Sequence, residues 1–69
     1  MKEYWAVIET KGDQEILCGA YESDEDALVR RNDVMRSFGY NNVSIRLVSE
    51  DGVSSFENVE ARFLKPQLI

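Results

Sequence analysis

The densest group of chemically capable side chains lies in the run "YESDEDALVRRNDVM". It puts Glu22, Asp24, Glu25 and Asp26 within five residues, with Arg30 and Arg31 about one helical turn further on. Carboxylates grouped in this way can exchange protons with a substrate, hold a hard cation, or present a negative surface to a basic partner. A calcium loop does not fit, because the acids alternate for two positions only and no glycine followed by glutamate stands at the required offsets. Proton transfer by a carboxylate pair has no positive support either. Thirteen acids in 69 residues make neighbouring pairs inevitable, and a chain this short is too small for a deep pocket.

Other chemistries fall away by composition. The chain has no histidine and one cysteine, which removes the usual zinc clusters and the histidine-based nucleophile arrangements. Gly12, Gly19, Gly39 and Gly52 are scattered and match neither a phosphate-binding loop nor a dinucleotide fingerprint. Cys18 sits inside the apolar run "ILCGAY", the setting of a small buried hydrophobe. A net charge of −5 opposes direct binding to nucleic acid or anionic lipid, which is driven by Lys and Arg neutralising phosphates. Tyr4 and Trp5, flanked by Glu3 and Glu9, lack the basic surroundings of a base-stacking platform. Arg30, Arg31 and Arg36, the one basic cluster, read as a solvated helix face. No cofactor and no metal is expected.

The elements that carry these residues read as one small domain over residues 1–65, followed by a short tail at 66–69. "EYWAVIET" is a strand with Tyr4, Ala6 and Ile8 on one face and Trp5 and Val7 on the other. "KGDQ" is a turn, and "EILCGAYE" a second strand that completes a hairpin, with Gly19 placed for a bulge or a close approach. Ser23 is a good N-cap, and Asp24, Glu25 and Asp26 fall in the first helical turn, where the dipole favours acids. Ala27, Leu28, Val34, Met35 and Phe38 recur at helical spacing as a buried stripe, and Gly39 ends the helix near residue 38. Helix-start chemistry therefore explains the whole acidic run.

"NNVSIRLVS" alternates Val43, Ile45 and Leu47 against Ser44, Arg46 and Val48, which predicts a strand with the first set facing a core. Asp51-Gly52 has the form of a tight hairpin turn. Folding there sets Leu47 opposite Phe56 and Arg46 opposite Glu57. Beyond Asn58 the apolar parity switches to Val59, Ala61 and Phe63, which calls for a bulge or break. In the tail "LKPQLI", Pro66 ends any strand, and Leu68 and Ile69 are expected to fold back onto the core or reach a neighbour. The predicted fold is α+β, a two-layer ββαββ arrangement with one helix on a small antiparallel or mixed sheet. The other face of that sheet is left open, with Trp5, Val7 and Val48 on it, joined by Tyr21.

The stretch from Tyr4 to Val48, a hairpin ending in "GAYES" that feeds an acidic helix start with Ala27 in its first turn, resembles small bacterial and phage-encoded domains. The resemblance implies such an origin and fixes no functional residue. No apolar run is long enough to cross a bilayer, and "MKEYWAVIET" lacks the apolar core of a signal peptide, so the expected compartment is the cytoplasm. The reading that follows is a non-catalytic protein–protein interaction module. It recognises a protein partner or a second copy of itself through Trp5, Val7 and Val48, or through the acids Glu22, Asp24, Glu25 and Asp26. The alternative is a phage-type inhibitor or nucleic-acid mimic, in which those acids stand in for phosphates against a basic surface.

Overall fold

The computed structural model describes residues 2–39 and 42–59. Strand β1 (Glu3–Lys11) and strand β2 (Gln14–Tyr21) form an antiparallel hairpin whose last pair is Lys11 with Gln14. Gly12 closes it at φ 65°, a backbone conformation that L side chains rarely adopt. Helix α1 (Asp24–Phe38) follows, then strand β3 (Val43–Ser49), a short helix α2 (Glu50–Ser54) and a two-residue strand β4 (Asn58–Val59). The sheet order is β3-β1-β2-β4, with β3 antiparallel to β1 and β4 parallel to β2.

The α+β class agrees with the sequence reading, but the element order does not. The expected hairpin at Asp51-Gly52 is replaced by α2. Ser49 caps that helix, its Oγ accepting from the Gly52 N–H at 3.1 Å, and Glu50 and Asp51 occupy the first turn. Ser-acid-acid is the pattern that starts α1 at Ser23, and here it overrides the turn preference of Asp-Gly. The reason is topological. β3 lies at one edge of the sheet and β4 at the other, so residues 50–57 must cross the face opposite α1. Val53 anchors the crossing, fully buried against a core that includes Tyr4, Ala6, Ile8 and Leu17. Burial of a valine of this kind contributes about 1.5–3 kcal/mol.

That crossing also corrects the expected open face. Trp5, Val7 and Tyr21 lie beneath α1, in a core with Cys18, Ala27, Val34 and Val43. Val48 lies on the opposite side, packed with Phe56 and Val59 against the Val53 core. The three candidates therefore do not lie on one face, since Trp5 and Val7 are on the α1 side and Val48 on the other, and Val7 is completely buried. Arg46 pairs with Glu15 at 2.7 Å rather than with Glu57.

Between Val7 and Ile8 the β1–β2 register slips, so that Cys18 and Gly19 together face Val7. This bulge puts Cys18 and Tyr21 on the α1 side and Leu17 and Ala20 on the other. A Cβ at Gly19 would sit 2.7 Å from Tyr21 Cε2, so only glycine leaves room for the ring there. The expected parity switch at Ala61 and Phe63 and the tail at 66–69 lie outside the described residues.

Candidate functional site

Helix α1 forms where its N-terminal chemistry is strongest. Ser23 adopts an extended cap conformation, and its Oγ accepts from the Asp26 N–H at 3.2 Å. Asp24, Glu25 and Asp26 occupy the first turn and are exposed, and Gly39, left-handed at φ 69°, ends the helix. Glu22 is also exposed. It accepts from Lys2 Nζ at 2.8 Å, a bond that, with the carboxylate's charge, pushes the Lys2 ammonium above the usual lysine range. Arg30 pairs with Asp33 at 2.7 Å. The four acids thus stand together at the start of α1. Among the described residues, no group of three or more acidic or cysteine side chains is placed to hold a metal ion.

The other surface with unspent bonding capacity is the outer side of β3. Two bonds at its ends fix the phase of its ladder with β1. The Thr10 N–H donates to Asn42 O at 2.8 Å, and the Glu50 N–H donates to Lys2 O at 3.0 Å. Bonded pairs alternate in an antiparallel ladder, so with this register Ser44, Arg46 and Val48 turn both backbone groups toward β1. Val43, Ile45 and Leu47 turn theirs outward. The Val43 carbonyl, the first of the outward set, is covered by Arg31, whose Nε donates to it at 2.7 Å. Among the described residues, Ile45 and Leu47 have no such cover and no strand lies beyond β3.

Apolar side chains border the same edge. Leu47 is 49% exposed and Leu28 50% exposed, although the sequence pattern assigns both to the core. Arg31 ties its side of α1 to β3, and Leu28, three residues earlier, shares that side of the helix. Leu47 has the parity of Val43 and Ile45, which pack under α1, and it stands directly beside the half-buried Trp5. Of the apolar candidates from the sequence, Trp5 thus stands on the α1 side of this border, and Val48, on β3 itself, faces the opposite side. One sequence signal points to the excess. Ala27, Leu28 and Val29 are consecutive, and a helix lying on a sheet buries only one side of such a triplet. Ala27 is buried, and Leu28 and Val29 flank it in solvent.

The remaining features are less constructed. An open hollow of about 340 Å³ lies between Tyr21 and the Asp26, Val29, Arg30 and Asp33 side of α1. A second of about 560 Å³, polar, lies at the hairpin end and includes Asp13, Glu15 and Glu57. Glu9, on β1 beside Ile16 and Val43, is 6% exposed, and its Oε1 has no hydrogen-bond partner. Neither hollow reaches that carboxylate. Comparison of the chain with protein-family models, curated proteins and solved structures returned no significant match.

Proposed function

We propose that this chain is a non-catalytic protein–protein interaction module that takes a partner at the outer edge of β3. The observation that carries the reading is the coincidence of two things on one border. Ile45 and Leu47 direct backbone donors and acceptors outward, and Leu47 and Leu28 present apolar side chains beside them. An extended segment laid along this edge gains a ladder of main-chain hydrogen bonds and two apolar contacts, the recognition mode in which a sheet receives an added strand. Natural edge strands are normally guarded by a lysine, a proline or a bulge. β3 has only Arg46, whose guanidinium is directed across the sheet to Glu15. The absence of histidine and the burial of the one cysteine also favour binding over catalysis. The setting we propose is the cytoplasm of a bacterium, or of a phage-infected cell. No helix among the described residues is long and apolar enough to cross a membrane.

Amide hydrogen exchange on the dilute protein tests the edge. The N–H groups of Ile45 and Leu47 should exchange near solvent rates while those of Ser44, Arg46 and Val48 are protected. Uniform protection along β3 would show that the edge is already occupied and remove the reading.

A second reading draws on the exposure of Asp24, Glu25 and Asp26 beside Glu22. In it, the helix start binds a basic protein surface in place of nucleic acid. Reversing Asp24 and Glu25 to lysine should then abolish retention on such a partner with the fold intact, whereas Leu47→Lys should leave retention unchanged. The opposite pattern supports the β3 edge.

A further inference from the structure

We infer that β3 pairs antiparallel with β3 of a second copy of this chain, across a two-fold axis centred on Leu47. This rests on the reading of the β3 edge as the binding surface and names its occupant. The outer edge of β3 is self-complementary. A row of outward N–H and C=O groups is its own partner when rotated by a two-fold axis perpendicular to the sheet, and such isologous contacts close at two subunits. The charge distribution agrees. A chain of net charge −5 repels its own kind over most of its surface, but β3 contains no acid from Val43 to Ser49 and one base, Arg46. This edge is where two copies approach without placing acid against acid.

The register follows from what the structure has already committed. Centring the axis on Arg46 would set the two guanidinium groups opposite each other, a directly opposed like-charge pair. Centring it on either Arg46 or Ile45 would also require the Val43 carbonyl as an acceptor, and Arg31 holds that oxygen at 2.7 Å. Centring on Leu47 avoids both. Leu47 then exchanges both backbone bonds with Leu47 of the second copy, and the Ser49 N–H reaches the Ile45 carbonyl across the seam. Arg46 falls beside Val48 of the second copy, with that copy's Arg46 on one diagonal and its exposed Glu50 on the other, so the two guanidinium groups are no longer directly opposed and each has an acid at equal cross-strand range. The two α1 helices come to lie on the same face, and the four half-exposed side chains of Leu28 and Leu47 gather along the seam. The resulting eight-stranded sheet is within the size that twisted sheets reach.

Light scattering of the full chain from micromolar to millimolar concentration should show the mass rising from one chain to two. Leu47→Lys should weaken association by roughly thirty-fold or more, the loss typical of a central contact. Leu47→Pro, which removes an outward N–H and no bond to β1, should do the same with the far-ultraviolet circular dichroism retained. The register is read by oxidation in a Cys18→Ala background. Leu47→Cys should cross-link to itself, since bonded antiparallel pairs sit about 5.5 Å apart at Cα, within disulfide range. Ile45→Cys and Arg46→Cys should not.

A mass of one chain at every concentration overturns the inference, and hydrogen exchange then separates the two claims. Free exchange at Ile45 and Leu47 leaves the edge open for a different partner. Protection there in a monomer assigns the edge to another part of the same chain and removes both. A dimer indifferent to Leu47→Lys, or one that cross-links best through Ile45→Cys or Arg46→Cys, overturns the centre proposed here.

Discussion

The acidic start of α1 and the outer edge of β3 differ in what accounts for them. At the helix start, charges that look like a site are used locally. Ser23 caps the helix, Asp24, Glu25 and Asp26 stand where the dipole favours them, and Glu22 holds Lys2. At β3 the residue types look ordinary, yet the backbone groups of Ile45 and Leu47 are directed at nothing among the described residues. Conspicuous side chains at one place have a local structural use, and inconspicuous residues at the other direct their backbone groups outward. The difference arises because side-chain chemistry is written in the sequence, whereas the direction of a strand's amides depends on where that strand falls in the sheet.

The largest expected effect concerns β3. Arg46→Pro removes an N–H that β1 uses and should cost about 1–3 kcal/mol in urea unfolding beyond the loss seen for Arg46→Ala. Leu47→Pro should cost far less, because its N–H has no partner in β1. Equal losses at the two positions would mean that the inward and outward sets are wrongly assigned, and the contrast between the two regions would collapse. Next in size is Ser23→Ala, expected to lower stability by about 1 kcal/mol through loss of the cap, with no change in self-association by light scattering. Asp24→Asn and Glu25→Gln should each cost about 0.3–1 kcal/mol in low salt, less as salt rises. A gain in stability instead would show that mutual repulsion outweighs the dipole. The acids would then be held at a cost, which favours the mimic reading.

The smallest effect is at Lys2. Its folded-state affinity for the proton is raised, so the pairing stabilises the fold fully below the ordinary lysine range and fades as pH climbs through the raised value. Lys2→Gln should therefore lower the thermal midpoint slightly at neutral pH, and the two proteins should converge at strongly alkaline pH. A constant difference across that range would place the effect elsewhere.

Much of the frame was legible from local signals. The hairpin at Gly12, the helix from Ser23 to Gly39, the strand at Val43 and the bulge near Gly19 each follow from turn chemistry, capping or alternation. The failure at Asp51-Gly52 has a specific cause. Two local codes overlapped there, and the cap at Ser49 prevailed because Val53 had a buried position to fill across the sheet. The misplacement of Leu28 and Leu47 is of another kind. Periodicity tells which side of an element is apolar, but it does not tell how far the covering layer extends, and both residues fall just beyond it. Of the proposed site, the sequence shows the side chains and not the edge, since strand order is set by contacts between distant segments. Alternation marks Trp5, Val7 and Val48 as apolar and outward. The crossing of residues 50–57 instead gave both sheet faces a cover.

Cys18, sealed at the bulge beneath α1, gives the molecule a built-in clock. It is the chain's one cysteine and 0% exposed, so a thiol reagent reaches its sulfur only while the helix stands away from the sheet. Under excess reagent, the labelling rate counts those openings directly. Measured with and without Leu47→Lys, it would show whether pairing at the edge slows the breathing of the layer above it, with no probe added to the protein.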